Sequence, residues 1–85
     1  MDFEVIWKRI LQFEGEEFIT RGKKISFTYR IEGNSVVPNH TNYPLHKSQF
    51  IKAYNFGELN STAKINKIVR GPSYILAILT DPRIQ

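Results

Sequence analysis

Residues 22–41, GKKISFTYRIEGNSVVPNHT, decide the fold of this 85-residue chain. From Ile25 the side chains alternate: Ile25, Phe27, Tyr29 and Ile31 fall on one side, and Lys24, Ser26, Thr28, Arg30 and Glu32 on the other. A period of two marks a half-buried β-strand, because successive side chains of an extended backbone point to opposite faces. Gly33-Asn34 then makes a two-residue turn. Glycine at its first central position suits type II′ geometry, which needs a positive φ there. Counting back from the turn pairs Ile31 with Val36, Tyr29 with Pro38 and Phe27 with His40 on the apolar face. On the polar face, Arg30 meets Val37, Thr28 meets Asn39 and Ser26 meets Thr41. Pro38 has no N–H to give to a ladder, so the returning strand is expected at a sheet edge.

Working outward, Arg21-Gly22-Lys23 reads as a tight turn that lets a first strand, 17–20, pair with 24–32. With 35–40 the result is a three-stranded antiparallel meander. Before it, Phe3, Ile6, Trp7, Ile10 and Phe13 recur at three- and four-residue spacing, which draws one apolar stripe on a helix over 2–14. Asp2 is its expected N-cap and Gly15 its left-handed stop. After the meander, Pro44 breaks the chain and Ser48 is the expected cap of a helix over 49–56 that ends at Gly57. Residues 62–69 place Ile65, Ile68 and Val69 on a helical face, with a strand as the open alternative. Pro72 starts a last helix over 72–80, and Asp81-Pro82 ends it. Its run Tyr74–Leu79 is apolar nearly all round, which fits either burial or contact with another protein. The segments 39–46 and 58–61 read as loops.

The reading is therefore an α+β fold, one domain over 1–85: an N-terminal helix, a three-stranded antiparallel meander, then two or three short helices packed on one sheet face. Ile25, Phe27, Tyr29, Ile31, Trp7, Ile10, Phe50, Tyr54, Ile75 and Leu79 are the expected core. A chain this short buries only roughly 60–65% of its unfolded surface. Its six Phe, four Tyr and one Trp compensate with large apolar area per residue. There is no cysteine, which in so small a domain favours a reducing, cytoplasmic setting over a secreted one. The start, MDFEVIWKRIL, is acidic where a signal peptide is basic, and no apolar run approaches the ~20 residues that span a bilayer.

Catalytic chemistry finds little to work with. His40 and His46 stand six apart in an expected loop, which is not the spacing of a helical metal pair, so neither metal nor cofactor is expected. Glu14, Glu16 and Glu17 precede Lys23 and Lys24, but the acid-x-lysine arrangement of a metal-dependent nuclease is missing. No Gly-rich phosphate loop occurs. Residues 62–79 imitate a helix-turn-helix, yet a recognition helix must expose polar side chains to base edges, and the last helix offers Tyr74 and little else. The chain reads as a non-enzymatic module.

Twelve Lys and Arg against eight Asp and Glu leave a net charge of +4 and a pI near 9.6. Such an excess favours an anionic partner, DNA or RNA above all, although it also serves solubility alone. The polar hairpin face gathers Arg21, Lys23, Lys24 and Arg30 beside Ser26, Thr28, Asn39 and Thr41. These four cations are the expected primary nucleic-acid contacts, with Lys64 and Lys67 secondary. Phe27 and Tyr29 point to the core face, so the sheet lacks an exposed stacking platform and phosphate contact outranks single-strand reading. The alternative is a protein-interaction module, adaptor or inhibitor, that uses the apolar last helix or the open edge of the third strand.

One resemblance adds to this. The pattern Phe18-x-Thr20-x-Gly22-Lys23, Phe27-Thr28-Tyr29, Lys47-Ser48-x-Phe50-x-x-Ala53 and Val69-Arg70-Gly71-Pro72-Ser73-Tyr74-Ile75-x-Ala77-Ile78-Leu79-x-Asp81-x-Arg83-Ile84 resembles a family of small bacterial proteins of uncharacterised activity. The resemblance implies a unit in which 70–84 is integral. It carries no catalytic or binding residue across.

Overall fold

The computed structural model describes residues 2–20, 23–41, 44–57, 69 and 71–85. Helix α1 runs Phe3–Gln12, strands β1 to β5 are Phe18–Ile19, Ser26–Phe27, Tyr29–Glu32, Ser35–Pro38 and Leu45–His46, and helices α2 and α3 are Lys47–Phe56 and Pro72–Leu79. The class is α+β, with an antiparallel three-stranded sheet and helices on its apolar side. The reading of 62–69 lies outside the described residues, apart from Val69, which is buried.

The helices start and stop for the local reasons their ends provide. The Asp2 carboxylate accepts from the Glu4 amide at 3.3 Å, and the stripe on α1 buries Ile6, Trp7 and Ile10. Helix α2 begins one residue before Ser48. Its cap is His46, whose Nδ1 accepts from the Ser48 amide at 3.1 Å. The imidazole competes with the shorter serine because β5 brings the chain up to Lys47 already extended. Gly57 closes α2 at φ +84°. At the start of α3, Gly71 stands at φ +56°, which favours glycine, and a Cβ there would crowd the Leu45 side chain at 3.0 Å.

The meander differs from its sequence reading in two ways. First, the long middle strand breaks at Thr28. Residues 26–27 pair with β1, Phe18 opposite Phe27 and Ile19 opposite Ser26, while β3 pairs with β4. Lys24 adopts a left-handed φ of +54°, which disturbs the alternation at its start. Ile25 is consequently 45% exposed rather than part of the core. Second, β4 is the middle strand of a sheet. Leu45–His46, read as loop, forms β5 and pairs with Ser35 and Val36, leaving Val37 and Pro38 beyond it, so the strand is an edge only at the end where Pro38 stands. The β3–β4 register is the one counted from the turn, with Ile31 opposite Val36 and Tyr29 opposite Pro38. Gly33 takes φ +61° and Asn34 does not share that sign, as a type II′ turn requires.

The core joins two aromatic groups. Phe3 meets Tyr54 edge-on at 5.5 Å and Trp7 meets Phe50 at 5.9 Å, which fastens α1 to α2. Phe18 lies 5.4 Å from Tyr29, and Phe27 meets Tyr74 edge-on at 4.9 Å, which fastens both sheets to α3. Centroid distances of this order are the favourable range for aromatic pairs. Ile75, Leu76, Ala77, Ile78 and Leu79 are all buried. The apolar last helix is thus a core helix of this chain. Ile31 and Tyr54 are half-buried against the same core, and Phe18, Val36, Leu45 and Ile84 join it beyond the sequence expectation.

Candidate functional site

Of the six cations expected to contact nucleic acid, Arg21, Lys64 and Lys67 lie outside the described residues. Lys23, Lys24 and Arg30 are described, and all three are exposed. They do not share one setting.

Lys23 and Lys24 sit in the loop between β1 and β2. Thr20 holds that loop: its amide donates to the Ile25 carbonyl and its Oγ1 accepts from the Ile25 amide, both at 2.9 Å. The threonine is buried while the lysines face water. Neither ammonium makes an ion pair among the described residues. The left-handed Lys24 is a non-glycine residue at positive φ, an uncommon conformation in a loop with two fixing bonds.

Arg30 stands on the outer face of β3, six residues along the chain. Its Nε donates to Glu32 Oε2 at 2.5 Å, two residues ahead on the same face. A second carboxylate is close: Glu14 Oε2 accepts from the Ile31 amide at 2.6 Å. The Gly15 amide donates to the Tyr29 carbonyl at 2.9 Å. The turn after α1 therefore satisfies the edge of β3 that β4 does not. Arg30 is thus paired with one acid, Glu32.

Between that turn and the outer face of the sheet is an open depression of ≈ 300 Å³ lined by Gly15, Thr28, Tyr29, Arg30, Val37 and Asn39. Val37 is opposite Arg30 on the outer face yet only 2% exposed. Asn39 Oδ1 accepts from the Thr28 amide at 3.0 Å, and the Asn39 amide donates to the Thr28 carbonyl at 2.9 Å. The asparagine thus continues the β3–β4 ladder past Pro38. Thr28, Asn39 and Val37 were legible in the sequence as polar-face residues, Val37 opposite Arg30; Gly15 was not, because its placement depends on the turn after α1 bonding to β3.

The remaining described cations show where charge is spent. Arg83 Nε and Nη2 grip the two oxygens of Asp81 at 2.9 and 3.0 Å, and Nη2 also donates to the Glu17 carbonyl at 2.8 Å. Its guanidinium lies 4.2 Å from the Phe18 ring centre. The hydrogen-bonded Arg83 holds the Asp81 carboxyl below its usual range. Lys47 reaches Glu4 at 3.0 Å and covers the Trp7 ring. Arg9 donates to the Ile84 carbonyl at 3.2 Å. Eight lysines and arginines and seven carboxylates fall among the described residues, so most of the net charge is contributed by the sequence outside them.

Both histidines are committed to structure. His46 caps α2, and His40 Nε2 lies 2.8 Å from the Ser26 carbonyl. Among the described residues no three His, Cys, Asp or Glu converge as a metal site, and no helix is long and apolar enough to cross a membrane. Compared with protein-family models, curated proteins and solved structures, the chain shows no match.

Proposed function

We propose that this chain is a non-enzymatic binding module for nucleic acid, gripping phosphates through the β1–β2 loop. The observation that carries this is the pair Lys23 and Lys24, exposed and without an acidic partner among the described residues. Two hydrogen bonds between Thr20 and Ile25 join the residues on either side of them. Arg21 is the third cation of the loop by sequence, and Lys64 and Lys67 extend the charge. Arg30 takes a secondary role, since a phosphate must compete with Glu32 for it.

The absence of cysteine supports a reducing, cytoplasmic compartment. The phosphate reading is preferred to the protein-interaction one because Ile75–Leu79 are buried in the chain's own core and β5 pairs with Ser35 and Val36 of β4.

The test is a titration with duplex DNA and duplex RNA across a salt series. Each phosphate contact lowers log affinity by ~0.9 per log unit of salt on B-DNA. Lys23→Glu with Lys24→Glu is expected to flatten the duplex-DNA slope by roughly 1.8. No binding at low salt, or an unchanged slope in the double variant, overturns the reading.

A further inference from the structure

Beside the loop that grips phosphates, we propose a second subsite, the depression between the α1–β1 turn and the outer face of β3 and β4, that takes one unpaired nucleobase. The inference rests on the nucleic-acid reading, but the groups that carry it are different.

Size comes first. At ≈ 300 Å³ the depression lies at the lower limit of small-molecule sites, enough for a single heterocycle. Gly15 borders it, with open space where a Cβ would stand.

The polar groups decide the chemistry. Asn39 Oδ1 is already taken by the Thr28 amide, which leaves its side-chain NH2 as a donor. Arg30 uses Nε on Glu32 and keeps the two outer nitrogens, in a plane fixed by that bond. The Thr28 hydroxyl is a third donor. The lining is therefore rich in donors, which calls for a ligand with carbonyl or ring-nitrogen acceptors. Charge disfavours the simplest such ligand. Arg30 is the one cation of the lining and already pairs with Glu32, so a free carboxylate or phosphate would have to compete for it. A neutral, flat, acceptor-bearing group fits both conditions. An unpaired base offers these acceptors on its edge and a face on which a guanidinium stacks.

The experiment uses the full chain, 15N-labelled, titrated with uridine, cytidine, adenosine and guanosine, which carry no phosphate. Saturable shifts of the Gly15, Thr28, Arg30 and Asn39 amides are expected. Thr28→Val, which keeps the β-branched shape and removes the hydroxyl, is expected to weaken the best nucleoside about threefold to tenfold. Arg30→Gln gives a second, independent loss. Lys23→Glu with Lys24→Glu is expected to leave nucleoside binding unchanged while it weakens duplex binding and flattens its salt slope. Shifts confined to residues 23–25, or none that saturate, overturn the proposal even where duplex binding persists. Equal shifts with inorganic phosphate or acetate overturn it as well, since they make the depression an anion site. Loss of duplex binding with nucleoside shifts intact would instead remove the phosphate reading and leave the base site standing.

Discussion

Arg83 and the Lys23–Lys24 pair are cations of one chain put to opposite uses. Arg83 is held by Asp81, by the Glu17 carbonyl and by the Phe18 ring, and it ties the C-terminal turn to β1. Lys23 and Lys24 tie nothing down among the described residues. The difference is in what the fold places nearby. A guanidinium offers five planar donors that match a carboxylate in two bonds and still stack on a ring. The lysines stand at a loop whose anchoring is done by Thr20 instead. Net charge therefore says little until each cation's partner is known, and Arg30, paired with Glu32, is intermediate.

The comparison can be broken from the structural side first. Ile84, fully buried beside Arg83, should lose about 2–4 kcal/mol on truncation to Ala, read from urea unfolding. Phosphate binding by the remaining folded fraction should be unaltered, because the loop is anchored through Thr20. A binding loss as large as the stability loss would join the two regions that are separated here.

Tyr29→Phe comes next. The hydroxyl donates to the Ile10 carbonyl at 2.5 Å in the core, so its removal should cost about 1–2 kcal/mol. Burial, opposed by Arg83, raises the phenol well above its ordinary value. A group whose folded-state proton affinity is raised contributes stability below its unfolded pKa, here about 10. That contribution declines above pH 10, and an alkaline melt of Tyr29→Phe should be flatter than that of the native chain.

Arg83→Ala should cost about 1–2 kcal/mol, and Arg83→Lys should recover little of it, because an ammonium cannot reproduce the bidentate grip. The acid side follows from Asp81. The Arg83 hydrogen bond depresses its carboxyl, so the linked stability is present above the unfolded pKa of about 4 and is lost as pH falls through the lower folded value. Asp81→Asn should remove that part of the acid dependence, seen by circular dichroism between pH 5 and 2. An identical acid profile in native and variant chains would sink the assignment.

The smallest stability effect belongs to the loop. Lys23→Glu with Lys24→Glu should stay within about 0.5 kcal/mol of the native chain, although it is the variant expected to change duplex binding most. A large loss of stability would show that the lysines have a structural role after all.

Much of this was legible in the sequence, and the failures share a cause. The hairpin register from Ile31–Val36 to Tyr29–Pro38 follows from turn chemistry and a period of two, both local. So do the apolar stripe of α1 and the start of α3 at Pro72. Ile25 was misplaced because alternation assumes an unbroken strand, and a left-handed Lys24 ends that assumption. The polar-face residues Thr28 and Asn39 were read correctly as outward-facing, but the depression they line was not. Gly15, distant in sequence, joins them only because the turn after α1 bonds to the Tyr29 carbonyl.

What the sequence alone determined is the set of local decisions: where helices begin, where the chain turns, and which face of each element is apolar. Tertiary structure decided the rest. It made β4 an inner strand by recruiting Leu45–His46, buried the apolar last helix, and set Arg83 against Asp81 while leaving Lys23 and Lys24 in water. Those outcomes depend on which distant groups meet, and a charge or an edge is neutralised only by a partner that folding brings within reach.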